Sequence, residues 1–538
     1  MWAFMRISTA PAGLCLALAL SLGASAQPLL TEGRAVNAAD YTPPDFPGGP
    51  IAQGSLFVLF GSGLGPTPGK QATAFPLGTA LAGVSIKVTG GGTTVNALPV
   101  YVSDAQVNAI MPSNTPIGAV TITLTYQGAD SNAIDAQVVK TDLGLFALNG
   151  GGLGPAALQN FLPSSLPINS RTQPAKPGQT VIVYGTGLGA GLNADNVAPQ
   201  AGNLPENMTI LVGGKQAKKS YSGRSPCCSG LDQIAFAVPA DAPLSCSVPV
   251  QVVPADGAPS NVVNIAISAD GGPCTDAANP FGQGLKGKTG AVFLVHASGP
   301  PSTGLSADLF AAGFRRDTDA QFAFSPFYSL PPAGTCTEYL GNGNFFTGAP
   351  LPAMTPSGGT LDAGTLTVTS GAGSDTVKSA GGLYTALLGV SGSSPFLTGG
   401  SYKVSGAGGA DVGPFSVTLA DAPVVAWSIT SNTVTRSSGL TVKWNVSGGD
   451  ASKQLAIIAG GNAIPVDNST ELFVCAANGA DGSFTVPPSI LTRVPATSQG
   501  MVAVGLLPAA PQATFTATGL DSGFADSLSL SLQFVSFK

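Results

Sequence analysis

Hydrophobic and polar residues alternate along much of the chain, in short runs bounded by glycine, proline, asparagine and aspartate. The clearest run is residues 440–447, Leu-Thr-Val-Lys-Trp-Asn-Val-Ser, where every second residue is apolar. A period of two places Leu440, Val442, Trp444 and Val446 on one face of a strand, which we expect to be buried. Further strands are predicted at residues 291–297, 365–369 and 401–405. The pattern favours an all-β protein built from β-sandwiches.

A repeat organises the first half of the chain. Residues 54–65 (GSLFVLFGSGLG) align with residues 178–189 (GQTVIVYGTGLG) at an offset of 124. Two later blocks align at similar offsets: residues 106–112 with 233–239 at 127, and Ser131-Asn132 with Ser260-Asn261 at 129. Order and spacing agree over three blocks, which indicates duplication. Strand alternation predicts that Phe57, Leu59, Val181 and Val183 occupy corresponding core positions.

The residues of the repeat also resemble a known family. The glycine-rich opening of the second copy, residues 177–189, is similar to IPT/TIG domains, which are immunoglobulin-type modules. The paired arrangement resembles secreted, largely uncharacterised proteins that are abundant in acidobacteria. The matching stretches are Gly54–Gly65, Tyr101–Pro112, Leu145–Asn160, Gly178–Gly189 and Cys227–Pro239. The resemblance implies tandem immunoglobulin-like β-sandwiches in an exported protein and supplies no catalytic residues.

The N-terminus predicts export. Arg6 precedes an apolar run at residues 14–22, followed by Ala24-Ser25-Ala26. This order is typical of a signal peptide, with cleavage expected between Ala26 and Gln27. The run is shorter than the roughly 20 apolar residues of a membrane anchor, and no later segment is long and apolar enough to span a bilayer. We therefore expect a secreted, extracellular or cell-surface protein without a transmembrane segment in the mature chain.

Composition shifts and boundaries divide the chain into six segments. They are a signal peptide (1–26), a first sandwich (45–140), a second sandwich with disulfides (141–269), a linker (270–287), a third β-rich domain (288–420) and a C-terminal sandwich (421–538).

Charge and histidine content exclude some classes of partner and site. The net charge is −6 with only 22 lysines and arginines, so no basic surface for nucleic acid is expected. The single histidine, His296, excludes multi-histidine metal sites and lies in an apolar strand, where a structural role is expected.

Six cysteines follow the signal peptide, and an even number in an exported chain predicts disulfides. The candidates are Cys227, Cys228, Cys246, Cys274, Cys336 and Cys475. Side chains of adjacent extended residues point opposite ways, so we expect two bridges from the Cys227-Cys228 pair to Cys246 and Cys274. Cys336 and Cys475 would then pair with each other or remain buried thiols. Two C-x-x-C pairs are absent, which argues against a zinc site.

Other motifs give no catalytic, cofactor-binding or metal-ligating residue. The G-x-G-x-x-A sequence at residues 185–190 has the form of a dinucleotide fingerprint, but no helical pattern follows it, so a β-turn is expected. Residues 315–319 and 193–196 carry aspartate and asparagine that could serve calcium, yet neither has the loop of an EF-hand and a solvated turn is expected. Glycoside hydrolysis needs two close carboxylates, and the sequence alone pairs none of the four glutamates: Glu32, Glu206, Glu338 and Glu471.

The sequence therefore favours a non-catalytic secreted or surface protein whose sandwich loops bind extracellular polysaccharide or a surface protein. The alternative is a polysaccharide-acting enzyme or its carbohydrate-binding accessory protein. A cleft with two close acids and stacked aromatics would distinguish the two.

Overall fold

The structure, a computed structural model, describes residues 27–276, 279, 287–300, 303–318, 321–325, 329–342, 358–390, 395–466 and 469–538. The predicted signal peptide and half of the predicted linker lie outside these residues. Strands dominate what is described, and no helix there is long and apolar enough to cross a membrane. The one α-helix of the described residues, α1, is a single turn at Pro488–Leu491. Three short 3₁₀ turns accompany it at Arg436–Ser438, Ala451–Lys453 and Gly479–Asp481.

The first sandwich is built from twelve strands of the described chain. They are β1 (Leu29–Asn37), β2 (Ile51–Ala52), β3 (Leu56–Ser62), β4 (Lys70–Gln71), β5 (Ala80–Leu81), β6 (Val84–Gly90), β7 (Thr93–Asn96), β8 (Leu98–Val102), β9 (Gln106–Ile110), β10 (Gly118–Tyr126), β11 (Ala129–Asp130) and β12 (Ile134–Val139). One sheet has the order β1-β3-β9-β8-β4, and the other has the order β2-β12-β10-β6-β5. The sandwich starts earlier than the predicted residue 45, because β1 pairs with β3.

This strand order is that of an immunoglobulin domain. When β1, β3, β6, β8, β9, β10 and β12 are lettered A to G, one sheet reads A-B-E-D and the other G-F-C. The short β2 adds to the second sheet by parallel pairing with β12.

The second sandwich repeats the order with nine strands: β13 (Gly144–Leu145), β14 (Gly154–Pro155), β15 (Leu158–Asn160), β16 (Thr180–Thr186), β17 (Met208–Val212), β18 (Lys215–Arg224), β19 (Asp232–Ala237), β20 (Ser245–Pro254) and β21 (Val263–Ile267). Its sheet order, β13-β16-β19-β18-β17-β20-β21-β14, is A-B-E-D continued into C-F-G. The long β18 joins the halves by pairing with both β17 and β19. The predicted fold class, tandem immunoglobulin-like sandwiches, is confirmed.

The two copies also share their register. Phe57, Leu59, Val181 and Val183 are all fully buried, as predicted. The paired positions follow the sequence offsets of 124 and 127: Phe57↔Ala109 and Leu59↔Val107 in the first copy, Val181↔Phe236 and Val183↔Ile234 in the second. A slip of one residue would expose the whole apolar set, so burial holds both copies to one register.

The remaining strands form a C-terminal unit (residues 287–538). They are β22 (Gly287–Ser298), β23 (Ser306–Asp317), β24 (Thr335–Asn342), β25 (Leu366–Ser370), β26 (Gly373–Val377), β27 (Ser379–Ala380), β28 (Leu383–Val390), β29 (Ser401–Gly406), β30 (Phe415–Ala420), β31 (Val424–Ile429), β32 (Thr433–Val434), β33 (Leu440–Ser447), β34 (Gln454–Asn462), β35 (Ser469–Asn478), β36 (Ser483–Val486), β37 (Thr497–Pro508), β38 (Ala513–Phe515) and β39 (Ser522–Phe537).

One large sheet runs through this unit in the order β24-β35-β34-β37-β39-β22-β23-β28-β27. A four-stranded sheet (β26-β25-β29-β30) contributes to one apolar core with it, and a three-stranded sheet (β31-β33-β36) contributes to another. The strand predicted at residues 440–447 is β33, with Leu440, Val442 and Trp444 buried.

The predicted boundary at residues 420–421 does not separate two sheets. Strands from both sides of it share the large sheet, because β22 and β39 pair in parallel over ten residues, from Thr289↔Ser522 to Ser298↔Ser531. The pattern along single strands carried no information about this long-range pairing. The two predicted C-terminal domains are therefore two cores on one continuous sheet.

Candidate functional site

The first sandwich, the second sandwich and the C-terminal unit meet at a buried arginine. Arg493 lies two residues after the end of α1 and is 3% exposed. Its Nη1 donates to the carbonyl oxygen of Pro47 (3.0 Å) and to that of Pro259 (3.4 Å), while Nη2 donates to Thr42 Oγ1 (3.1 Å). Its Nε donates to Glu338 Oε1 of β24 (3.1 Å). One guanidinium thus touches all three units.

Four carboxyl groups surround this single cation. Asp40 Oδ2 lies 3.8 Å from Arg493 Nη2, and Glu338, Glu471 and Asp142 also interact with the guanidinium electrostatically. Burial alone would lower the pKa of Arg493, but these carboxylates raise it above its ordinary value. If all four acids were ionised, three negative charges would be left uncompensated in a low-dielectric interior, which is costly.

The acids therefore hold on to protons. Burial raises the pKa of Glu338 to about 7, although Arg493 opposes the rise. Burial, and then the charge of Asp40, raises the pKa of Asp142 to about 7. Burial and the neighbouring Glu338 raise the pKa of Glu471 well above its ordinary value, and burial raises that of Asp40. The junction carries less negative charge at neutral pH than its composition suggests.

A small cavity lies at the centre of the junction. Its lining includes Asp40, Gly152, Glu338, Glu471 and Arg493. Glu338 Oε2 and Glu471 Oε1 are buried without a hydrogen-bond partner, and both residues are less than 5% exposed. The cavity holds about 10 Å³, enough for one water molecule and far too little for a sugar ring. Chemically, the carboxyl groups can exchange protons, and the hydrogen bonds of Arg493 hold the three units together.

A second buried arginine fixes the two sandwiches against each other. Arg224, at the end of β18, forms an ion pair with the fully buried Asp232 and donates to the carbonyl oxygens of Gly54 and Gly189. Gly54 belongs to the first copy, so the hydrogen bond from Arg224 to Gly54 spans the repeat boundary. Burial raises the pKa of Asp232, against the opposing charge of Arg224.

Backbone amides of the glycine motif at residues 185–190 bind the side-chain carboxylate of Asp232. The motif begins in the last two residues of β16 and continues as a loop without a helix, and Gly187 N and Leu188 N each donate to Asp232 Oδ2 (2.8 Å). Gly187 has φ +124°, and a Cβ there would lie 1.7 Å from the carbonyl oxygen of Asp142. Only glycine fits this approach.

The repeated Ser-Asn dipeptide is a structural clamp. Asn132 exchanges two hydrogen bonds with the backbone of Leu30 (2.8 and 3.0 Å), and Asn261 does the same with Leu145 (2.7 and 2.9 Å). Each pair ties the A strand of its sandwich to the segment before strand G. Asn261 also donates to the carbonyl oxygen of Gly152 (2.6 Å), beside the Arg493 cavity.

Only the Cys336–Cys475 bridge agrees with the prediction, and the two bridges expected from Cys227 and Cys228 to Cys246 and Cys274 are wrong. Cys246 is joined to Cys274 and Cys336 to Cys475, the latter directly across the β24–β35 pair. Cys227 and Cys228 are joined to each other, which the sequence analysis excluded. That expectation assumed extended backbone, whereas residues 226–230 form a turn that brings the two side chains to one side.

The other candidate residues serve local contacts. His296 on β22 hydrogen-bonds through Nδ1 to Asp308 Oδ1 (2.6 Å), and Asp308 Oδ2 accepts from the backbone amides of residues 396 and 397. Arg315 forms a two-pronged pair with Asp317. Asp195 accepts from Ser113 N and Oγ (2.7 and 2.6 Å), which links the two sandwiches. Asp319 lies outside the described residues.

Of the four glutamates, the structure brings together Glu338 and Glu471, while Glu32 and Glu206 lie in the first and second sandwiches. The sequence pointed to Glu338 and Glu471 only as unpaired glutamates and did not indicate Arg493, Asp40 or Asp142, because the five residues are spread from residue 40 to residue 493. Glu338 and Glu471 lie within strands, whereas Asp40, Asp142 and Arg493 lie in turns and loops. Among the described residues, no three His, Cys, Asp or Glu side chains are placed to hold one metal ion.

No family model matches the chain, and no curated protein matches it by sequence. Several solved structures are similar at 10% identity. They are a fragment of titin (69% of this chain, 97% of that one, TM-score 0.14), the ectodomain fragment of ICAM-5 (91% and 96%, TM-score 0.13) and domains 4–9 of the surface layer protein SbsC (93% and 66%, TM-score 0.13). At these TM-scores the likeness carries no argument, and the immunoglobulin-like assignment rests on the strand order given above.

Proposed function

We propose that this chain is a non-catalytic, exported scaffold of tandem β-sandwiches that holds binding loops in a fixed relative orientation at or outside the cell surface. The observation that carries the proposal is Arg493, a fully buried side chain bonded to all three units. A buried charge with partners on three units strongly disfavours their separation, because separation leaves several groups unpaired. A rigid arrangement serves a spacer or adhesion protein, in which distance and direction between loops matter.

The paired sandwiches, in this proposal, are IPT/TIG-like modules of the secreted acidobacterial type, and residues 1–26 are the signal peptide that directs export. The disulfides support an oxidising compartment. The Ser-Asn clamp and the glycine motif, which the sequence singled out, both support the framework and leave the loops free to vary.

Exposed apolar side chains support a protein or polysaccharide partner at one end of the second sandwich. Phe161, Leu162, Leu166 and Ile168 are all 39–53% exposed in the segment that follows β15. No charged residue interrupts residues 157–170. Clustered exposed apolar side chains mark interaction surfaces more often than isolated ones do.

The enzymatic alternative lacks support at the place where two glutamates meet. Glu338 and Glu471 share a cavity of about 10 Å³ and are both buried, so a glycosidic bond has no route between them. Inverting and retaining glycosidases need their carboxyl groups to flank the sugar.

Small-angle X-ray scattering of the mature protein tests rigidity directly. We expect one set of interatomic distances that matches the structure, and a broader set for Arg493→Met. A wild-type profile that requires freely hinged units would reject the scaffold.

Glycan and secretome binding screens, with Phe161→Ser/Leu166→Ser as a matched surface variant, test the partner. Turnover of a polysaccharide by the wild type would favour the enzyme instead.

A further inference from the structure

Two adjacent cysteines are bonded to each other on the surface of the second sandwich. Cys227 and Cys228 lie in the connection between β18 and β19, and both are exposed. The connection closes on itself through backbone bonds from Ser225 N to Leu231 O (2.8 Å) and from Leu231 N to Cys228 O (3.2 Å). The corresponding connection in the first copy, residues 103–105, has no cysteine.

This turn packs against the first sandwich. The carbonyl oxygen of Gly230 accepts from Thr186 Oγ1 (2.6 Å), and Thr186 Oγ1 in turn accepts from Leu56 N (2.8 Å) of the first copy. A Cβ at Gly230 would lie 2.9 Å from Leu56 Cγ and 3.3 Å from Ile110 Cγ1, so the backbone itself touches the neighbouring sandwich.

The ends of the turn are fixed at the same boundary. Arg224 precedes it and Asp232 follows it, and this ion pair reaches Gly54 of the first copy. Ser229 Oγ adds a bond to the carbonyl oxygen of Val197 (3.1 Å). The two cysteines therefore lie in the segment between Arg224 and Asp232, whose buried ion pair is at the boundary between the two sandwiches.

The other two disulfides are less accessible. Cys336 and Cys475 are 6% and 0% exposed, and Cys246 is 7% exposed. Attack by a thiolate requires access to a sulfur atom, so exposed disulfides exchange before buried ones. Cys274, the partner of Cys246, is half-buried, so Cys227–Cys228 is the most exposed of the three described disulfides.

We propose that the Cys227–Cys228 disulfide is a thiol-exchange site that low-molecular-weight thiols open, and whose opening loosens the contact between the two sandwiches. This inference goes beyond the scaffold function and does not depend on it. The two cysteines, which the corresponding connection of the first copy lacks, then have a chemical role beyond support of the fold.

The exchange proceeds in two balanced steps. The thiolate of a small thiol attacks one cysteine sulfur, and the S–S bond breaks with its electron pair on the other sulfur, which takes a proton. A second small thiolate then attacks the sulfur of the attached thiol and releases the first cysteine, which is protonated in turn. Overall, two small thiols are oxidised to one disulfide, and the protein disulfide is reduced to two thiols.

Graded reduction of the mature protein with reduced glutathione tests the site. Thiols are blocked with N-ethylmaleimide without denaturant and located by peptide mass mapping. We expect Cys227 and Cys228 to be labelled at glutathione concentrations at least about tenfold below those that label Cys246, Cys274, Cys336 or Cys475. Hydrogen exchange at the amides of Ser225 and Leu231 should accelerate in step with the labelling.

Two variants separate chemistry from packing. Cys227→Ser/Cys228→Ser should show the fast exchange without glutathione, whereas Ser229→Ala keeps the disulfide and should be labelled like the wild type. Free thiols at 227 and 228 in the untreated protein, or labelling together with the buried pairs, would overturn the exchange site. Unchanged hydrogen exchange in the reduced protein and in the double serine variant would overturn the link to the sandwich contact.

Discussion

Replacement of Arg493 by methionine should destabilise the C-terminal unit strongly and in a pH-dependent way. Methionine keeps much of the apolar stem but removes the only cation among Asp40, Asp142, Glu338 and Glu471. Removal of one partner from a buried ion pair costs about 3–5 kcal/mol, because the remaining charges are buried without compensation. We expect a loss of this size at about pH 7.5.

The sign of the pH effect follows from protonation. Without Arg493, the pKa of Glu338 rises further above its present value of about 7. A carboxyl whose folded pKa is raised binds more protons in the folded state than in the unfolded state, so the free energy of unfolding falls as pH rises from about 4.5 toward the folded pKa. At about pH 5, below the folded pKa of Glu338, that carboxyl is protonated, and the loss should be smaller by about 1.4 kcal/mol, the equivalent of a pKa change of one unit.

Urea unfolding followed by tryptophan fluorescence measures this loss. Trp427 and Trp444, the two tryptophans beyond the predicted signal peptide, both lie in the C-terminal unit and report on it alone. Arg436→Met is the matched control, because Arg436 donates only to backbone carbonyls, those of Thr492 and Val494. Its cost should not change between the two pH values. A loss below about 1 kcal/mol for Arg493→Met, or an equal loss at both pH values, would refute the reasoning.

Three further changes have defined outcomes. Glu471→Gln imitates the protonated acid and cannot ionise. In urea titrations between about pH 6 and pH 9, the free energy of unfolding should therefore fall less for this variant than for the wild type. An equal fall in both proteins would contradict the raised pKa of Glu471. Asn132→Ala should cost about 2 kcal/mol and Asn261→Ala about 3 kcal/mol, because Asn261 also bonds to Gly152. Hydrogen exchange of the two A strands measures both losses, and equal effects would contradict the difference. Cys336→Ser/Cys475→Ser opens a loop of 139 residues and should lower stability by about 2–4 kcal/mol in the fluorescence assay, against no change if the bond is absent in solution.

The sequence predicted what depends on local patterns. Alternation placed Phe57 and Val181 in equivalent core positions, since period-two burial leaves a record in neighbouring residues. The Ser-Asn dipeptide was found as a repeat, but its role as a clamp on Leu30 and Leu145 depends on a partner more than 100 residues away.

The misses have the same physical origin. The cysteine pairing was wrong for Cys227, Cys228, Cys246 and Cys274, because a turn replaces extended backbone at Cys227-Cys228 and leaves Cys246 and Cys274 to pair with each other. The boundary near residue 420 was placed by composition, while β22 and β39 pair regardless of it. The Arg493 cluster forms only when three units fold together, and charged residues that are far apart in the sequence give no periodic signal.

The parallel pairing of β22 with β39 has a consequence for the order of folding. The two strands meet at positions 233 residues apart, and β39 is the strand that connects the two cores of the large sheet. During synthesis from the N-terminus, both sandwiches of the first half can fold as soon as they are complete. β22 can pair with β39 only after residue 522 and those that follow it have been added. During that interval β22 has a free edge, which is prone to pairing with other chains. Mutations that slow the arrival of β39 would therefore appear as aggregation rather than as loss of stability.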